Sequence, residues 1–499
     1  MRLAIVLFLL LFLSCILHSQ DSIPPLIQNR YAKVTSYEEL SAYVRRLDKN
    51  SDLLTVEVIG QSVKGRDLYA LKFSSSRFGT DKSKIKVLIF AQQHGNEQSG
   101  KEGALLLAQN LLKPGNSYLF NKIDLAVIPQ MNPDGSEVNE RRNAHGVDLN
   151  RNHLILTEPE TIALHMFFDK YLFDVTADVH EYSPYSEEWI KYGYRKNFNE
   201  TVGATTNPNV AKEIRKLSNE EYIPFILRYF SEHQFSSFIY CPGGPPGLAY
   251  VRHSTFDIND GRQSFGIQNT FSFIQEGMNG KDDLIDNLKQ RAEGQMTGMR
   301  GLLEYVYLNK DIIKSLVAAG RKNLTRPVKN EQVSIQSEHT GNGQKLKLPL
   351  LSYYSGHDTV VTVNDYRPVV KSISDVGKPI GYLIPKQLTI LVDWAKRHSL
   401  DLSVYQKKGN ERIGQYFING IDSIDFEGDM TVNPGVTEKE YQGTFSGNDY
   451  YFISTAQLKG NMIVLALEPK SELGLVTYKA FSDLLKTAQA FPILRVNRK

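Results

Sequence analysis

The sequence predicts an α/β fold: a mixed, largely parallel twisted sheet with helices on both faces, followed by a C-terminal accessory domain that is mostly β with two helices. Three observations predict it. The run Ile85-Lys-Val-Leu-Ile-Phe90 is apolar at all but one position, as a strand covered on both faces is. Strand-like and helix-like segments alternate from residue 36 to residue 276. After about residue 310 the composition changes, first to a polar stretch and then to short alternating segments. The chain has 499 residues, enough for two or three domains and a sizeable core.

The elements follow in order. Residues 36–47 have helical spacing, with Ser36 placed to cap them. Strands are expected around Leu54 and Leu68, joined by a turn in Gly60-Gln-Ser-Val-Lys-Gly-Arg-Asp-Leu-Tyr69. The strand 85–91 is followed by a helix over 102–112 and a strand over 123–129. Asn132-Pro-Asp-Gly135 is a turn sequence, and 158–171 reads as a helix with Pro159 suited to its first turn. Strands over 174–179 and 270–275 end at His180 and Glu276. The polar residues 323–345 are expected to be a linker between an N-terminal unit, 20–322, and an accessory unit, 346–499. In the latter, 359–363, 451–454 and 462–466 read as strands, and 387–398 and 478–490 as helices.

Composition excludes some partners. Hydrophobic residues make up 41% and charged ones 23%, which is globular and not disordered. A net charge of +3 is too small to point to nucleic acid or an acidic membrane as the main partner. Arg2, the apolar run from Leu3 to Leu13, and the small residues Ser14 and Ser19 form a signal-peptide pattern over 1–19, so a secreted or periplasmic location is expected. The run is shorter than the roughly 20 residues that span a bilayer, and no stable membrane insertion is expected after cleavage. Lipid attachment at Cys15 is not expected. Cleavage near Ser19 leaves Cys241 as the remaining cysteine, without a disulfide partner.

The chemistry centres on Ala91-Gln-Gln-His94-Gly-Asn-Glu97. His94 and Glu97 follow a strand at a spacing of three, a partial ligand set that lacks a third protein ligand. His94, His180 and Glu276 all fall at expected strand ends, and ligands of open α/β sheets bind in the crevice there. Asp178 and Glu181 flank His180 as competing ligands, although neighbouring strand residues point to opposite faces.

Taken with Asn132-Pro-Asp-Gly135, Arg141-Arg-Asn-Ala-His-Gly-Val-Asp-Leu-Asn150-Arg151-Asn152, Asp178-Val-His180 and Phe273-Ile-Gln-Glu276-Gly, the sequence resembles the zinc metallocarboxypeptidases of the carboxypeptidase A-like family over about residues 37–308. The resemblance implies that His94, Glu97 and His180 bind one Zn2+ per chain, with Asp148 orienting His94. It implies that Asn150 and Arg151 hold the terminal carboxylate of a peptide or protein substrate, that Arg141 stabilises the oxyanion, and that Glu276 is the general base toward a zinc-activated water. Tyr250 is the nearest candidate for the family's substrate-capping tyrosine. Asn96 stands where many members have arginine, and 182–247 is an insertion expected to wall the cleft. The pocket for the substrate's last side chain is not assigned, although Asp257 and Asp260 leave a basic preference open. His145, His153, His165, His233 and His253 are expected to be ordinary surface or packed residues. Two other readings stand beside a carboxypeptidase: a zinc hydrolase of acylated amino acids or cell-wall peptides, and an inactive peptide-binding module.

Overall fold

A computed structural model describes residues 23–498 apart from 282–283, 328–329, 407–408, 410, 427–428 and 444–445. The expected signal segment 1–19 and Cys15 lie outside the described residues. Helix α1 (Tyr37–Lys49) is capped by Ser36, whose side chain accepts from the Glu39 N–H while the Glu39 carboxylate accepts from the Ser36 N–H. Its buried residues, Leu40, Tyr43, Val44 and Leu47, recur at helical spacing and face the sheet.

The sheet is built from β1 (Leu54–Gln61), β2 (Asp67–Phe73), β3 (Ile85–Ala91), β4 (Ile123–Ile128), β5 (Val175–Tyr182), β6 (Glu200–Ala204), β7 (Ser237–Ile239) and β8 (Phe271–Met278). These eight strands run in the order β1-β2-β4-β3-β5-β8-β6-β7. The central four, β4, β3, β5 and β8, are parallel to one another, and β1, β2 and β6 join antiparallel. Helices α2 (Gln98–Leu111), α3 (Pro159–Tyr171) and α4 (Leu288–Leu324) cover it. Strand β3 shows why its sequence is apolar. Val87, Ile89 and Ala91 pack with residues of α1, α2 and α4, whereas Leu88 and Phe90 pack with Leu164, Phe167 and Phe168 of α3. Both faces are buried, as the unbroken apolar run requires.

The C-terminal region departs from expectation in three places. The stretch 323–345, expected as a linker, holds the end of α4 and a strand, β9 (Gln332–Thr340). That strand pairs with β12 (Val369–Gly377), beyond the hairpin of β10 (Leu346–Ser352) and β11 (Asp358–Val363). Its Val333 and Ile335 are core residues, and its polar ones are bonded inside: Ser334 Oγ donates to Ser372 Oγ at 2.7 Å and Gln336 Nε2 donates to Asn433 Oδ1 at 3.0 Å. Buried serine and glutamine made a core strand look like a linker. Next, 462–466 is not a strand but part of a helix. The helices here are α5 (Thr389–Arg397) and α6 (Gly460–Leu467), and every residue of α6 is buried, so its sequence carries no face-to-face period. Third, 478–490 is not a helix; it holds a 3₁₀ turn, Lys479–Leu484, before β18 (Ala490–Arg498). With β13 (Gly381–Pro385), β14 (Leu402–Ser403), β15 (Glu411–Phe426), β16 (Asp429–Glu440) and β17 (Tyr450–Ser454), β18 forms a six-stranded antiparallel sheet ordered β14-β17-β13-β18-β15-β16.

The two regions share a core. Leu154, Ile258 and Ile267 belong to the same buried cluster as Trp394, Ile463, Phe481 and Phe491. Tyr194 and Arg195 pair with β10. Loops of the first region that flank its strand ends are therefore built into the second.

Candidate active site

Strand β3 ends at Ala91, and Gln92 turns the chain with a positive φ of 59°. His94 lies in that turn and Glu97 stands at the N-cap of α2. Gly95 has a steric cause: a Cβ there would meet the Gly135 carbonyl carbon at 2.2 Å and the Glu140 oxygen at 2.5 Å. The loop after Asn132 is pressed onto the turn, and Asn132 Nδ2 donates to Gln93 O at 3.2 Å and Arg141 O at 3.3 Å. The two most informative sequence motifs thus lock each other.

His180 and Glu276 sit within β5 and β8 and not past their ends, and they are register partners across the parallel pair. His94, Glu97 and His180 are 3%, 5% and 2% exposed, and they form the metal-capable cluster among the described residues. His94 Nδ1 stands 2.7 Å from Glu97 Oε1, His180 Nδ1 stands 2.8 Å from Glu97 Oε2, and the two ring nitrogens are 3.1 Å apart. The outer nitrogens face carboxylates: His94 Nε2 lies 3.1 Å from Asp148 Oδ1 and His180 Nε2 lies 2.8 Å from Asp178 Oδ1. Burial acts to raise the Glu97 carboxyl, but His94 and His180 outweigh it and hold that group well below the carboxylate range. Burial would lower His180, and Asp178 and Glu97 reverse this, raising it well above an ordinary histidine.

Two imidazole nitrogens and one carboxylate converging at such distances fit a divalent cation of zinc type. Their mutual crowding is relieved by an ion among them, and their outer nitrogens are already held. Asp178 backs His180 from the far side, with Gln93 Nε2 donating to both of its oxygens at 2.9 Å. Glu181 is spent elsewhere, paired with Arg291 at 2.9 Å. Arg141 turns inward: its Nε donates to Asp148 Oδ2 at 3.0 Å, and Nη1 lies 3.5 Å from Glu97 Oε1. Arg142 turns away, donating to Gly146 O.

Residues 40–241 match the family model described as Zinc carboxypeptidase. Over that span the chain is similar to the zinc carboxypeptidases. The chain is 22% identical over 495 residues to Carboxypeptidase 2 of Trichophyton rubrum, covering 93% of this chain and 86% of that one. It is 32% identical over 185 residues to Carboxypeptidase D of Drosophila melanogaster, covering 30% of this chain and 13% of the other. Among solved structures, a metallo-carboxypeptidase from Burkholderia cenocepacia matches with a TM-score of 0.43 at 18% identity, over 55% of this chain and 69% of that one. The protein is a peptide hydrolase of a zinc-dependent family, and it carries a His-Glu-His group able to hold the metal.

The remaining candidate residues divide into those near the cluster and those held elsewhere. Asn150 is buried, and its Oδ1 accepts from Gly261 N at 2.8 Å and Gln93 Nε2 at 3.2 Å. Arg151 donates from Nη1 to Asn150 O at 2.8 Å and is otherwise open to solvent. Against desolvation, which lowers it, Asp257, Asp148 and Asp260 hold the Arg151 guanidinium above the ordinary arginine value. Burial raises the Glu276 carboxyl; His180 opposes this and Glu97 adds to it. Tyr250 is drawn to Arg367, whose guanidinium carbon lies 4.0 Å from the ring centre. Two tyrosines, Tyr182 and Tyr240, share a cavity wall with Glu276, and Tyr240 also acts on Arg151. Sequence reading passed over Tyr240 because its loop has no periodicity, and it also passed over the chain Asp178–Gln93–His153–His165. In that chain His153 Nε2 is 2.7 Å from Gln93 Oε1 and His153 Nδ1 is 3.0 Å from His165 Nε2. Both histidines were expected to be ordinary, and both are buried with depressed pKa values, His153 at about 4, because of burial. No helix among the described residues is long and apolar enough to cross a membrane.

Proposed function

We propose that this protein removes single residues from the free C-termini of peptides, and that it is exported behind a signal peptide over residues 1–19. His94, Glu97 and His180 would hold one zinc ion, with Asp148 and Asp178 orienting the two rings. A zinc ion held there supplies Lewis acidity toward the scissile carbonyl. The other steps belong to the chain's own residues. Glu276, register partner of His180, would take a proton from water and pass it to the leaving amine; burial raises its carboxyl, which favours its holding the proton between the two transfers. Arg141, whose Nη1 reaches to within 3.5 Å of Glu97, would donate to the oxyanion.

The observation that carries the C-terminal direction is the state of Arg151 and Asn150. Arg151 spends one donor on a backbone carbonyl, and Asn150 Nδ2 donates to none of the described residues while its Oδ1 is fully engaged. Such donors suit a terminal carboxylate, which accepts two bonds from a planar guanidinium. The test is a pair of peptides that differ only as C-terminal acid and amide. The acid should be trimmed stepwise while the amide is nearly inert, and Arg151→Ala should narrow the gap by damaging turnover of the acid. Equal cleavage of both, or internal cuts, would leave only a zinc hydrolase. Sequencing the N-terminus of exported protein would check the signal peptide.

A further inference from the structure

The turn that follows Arg151 does not satisfy its own backbone. Leu156 has a positive φ of 51°, an uncommon conformation for a bulky side chain, and its N–H donates to Asn152 O, so residues 152–156 close a tight loop. The Asn152 side chain pins one end of it, with Oδ1 accepting from Thr157 N at 2.9 Å, Glu158 N at 3.0 Å and Thr161 Oγ1 at 2.6 Å. Between these ties no backbone N–H of the described residues donates to the carbonyl of Leu154 or of Ile155. Leu154 is fully buried, where a carbonyl without a donor is costly.

The donors come from the far end of the chain. Leu154 O accepts from Trp394 Nε1 at 2.9 Å and from His398 Nε2 at 2.7 Å, and Ile155 O accepts from Arg397 Nη2 at 3.3 Å. Trp394 and Arg397 belong to α5, and His398 is its C-cap. The Trp394 and His398 rings are both buried, with their centres 5.3 Å apart. Burial holds the His398 imidazole neutral, down at about 3, and its Nε2 carries the hydrogen that the carbonyl takes. Lys459 locks this end of α5 onto α3: its Nζ donates to His398 O at 2.8 Å and to Asp169 Oδ2 at 2.7 Å. A second tie runs from His153 N to Asn259 O at 3.2 Å, and from Asn259 Nδ2 to the Tyr478 hydroxyl at 3.2 Å.

On the near side, Asp148 caps the 3₁₀ turn Leu149–Arg151 and accepts from the Asn150 N–H at 2.9 Å. Arg151 makes one hydrogen bond, to Asn150 O, so its guanidinium takes its place from the backbone that carries it. That backbone runs directly into the turn held by α5. On the reading that Asn150 and Arg151 receive the substrate's terminal carboxylate, a shift of about an ångström there is expensive. We infer that Trp394 and His398 are positioning residues for that carboxylate site: their paired donors at Leu154 O fix the turn that presents Asn150 and Arg151, which makes the C-terminal region a working part of substrate binding.

The test uses the full, zinc-loaded chain and a peptide pair that differs as C-terminal acid and amide. Trp394→Phe keeps a buried ring and loses the N–H, His398→Leu loses the second donor, and His398→Gln restores one. Trp394→Phe and His398→Leu should each raise KM for the acid about five- to tenfold with kcat within about twofold, and together at least about thirtyfold. The acid-over-amide preference should shrink by the same factors, while zinc affinity in competition with a chelator stays at the wild-type value. His398→Gln should recover most of the loss. A merely structural role lowers the unfolding temperature and the active fraction, with KM and the acid-over-amide ratio unchanged; that result overturns the inference. Hydrogen exchange reads the turn without any need for activity. Amides of residues 149–156 should exchange at least about tenfold faster in the double variant while those of β3 keep the wild-type rate. Wild-type exchange in the turn also overturns the inference. If the double variant does not fold, the two single variants and His398→Gln are read in the same ways. Faster exchange in the turn of a protein whose wild type treats acid and amide alike keeps the brace and removes the carboxylate reading.

Discussion

The two sides of the cleft are finished to different degrees. On the side proposed to hold the metal both imidazoles are backed: Asp148 faces His94, Asp178 faces His180, and Gln93 fixes Asp178 with His153 behind it. On the side proposed to hold the substrate, Arg151 has one backbone bond, and Asn150 Nδ2 donates to none of the described residues. A site that must keep an ion between turnovers gains from full preorganisation. A site that exchanges peptides must leave its charges free for the peptide to satisfy. The contrast predicts a graded set of consequences.

The largest falls on the metal side. Replacing His180 with Ala should remove stoichiometric zinc and activity together, by about a thousandfold or more, because two donors do not complete an open zinc site. Metal analysis alongside a peptide assay checks it. A His180→Ala protein with full zinc would move the third ligand to Asp178, the acid nearest that ring, and would break the contrast.

Next is the proton. Glu276→Gln keeps shape and hydrogen bonding but cannot take a proton, so kcat should fall at least about a hundredfold with zinc retained. Near-normal turnover in a folded, zinc-loaded variant would take Glu276 out of the chemistry. Smaller again is the support behind the ligands. Gln93→Met removes both bonds to Asp178 and the acceptor for His153, and should cost about ten- to a hundredfold in zinc affinity while leaving the ligands in place. Competition against a chelator reads it directly. An unchanged affinity would mean that Asp178 needs no outer partner.

The same division separates what the sequence displayed from what it concealed. His94, Glu97, Arg141 and Asn150-Arg151 stand in short, spaced motifs whose glycine and asparagine have local steric duties, so they were legible from residue order alone. The strands of the first region were legible because β3 is apolar on both faces. Hidden were the contacts made across long stretches of chain. Trp394 and His398 meet Leu154 from more than two hundred residues away, and Tyr478 meets Asn259 likewise. Neither contact has a spacing that sequence could show. Tyr240 was hidden because its loop is neither strand nor helix, and α6 because a helix buried all round has no polar face. The join between the two regions, assembled from such contacts, was the less readable part.

The smallest predicted effect tests whether the C-terminal region holds a buried acid, Glu472, at a cost to the fold. Burial first, and then the charge of Asp257, raise the Glu472 carboxyl to about 8, against the lowering effect of the Ser337 N–H. Below about pH 4.5 the group is neutral in both folded and unfolded chains and makes no difference to stability. Between there and about pH 8 the unfolded chain has lost the proton while the fold retains it, so stability falls as pH rises through that window. Above about 8 the full penalty stands. Glutamine keeps an oxygen for the Ser337 N–H and has nothing to ionise. Glu472→Gln should therefore match the wild type near pH 4.5 and exceed it by about 1–3 kcal/mol near pH 8. Denaturant unfolding at the two pH values measures this. Parallel pH profiles for the two proteins would mean that Glu472 ionises as freely in the fold as in the unfolded chain. A gain that appears only toward pH 8 would mean that the fold retains an acid against its own stability.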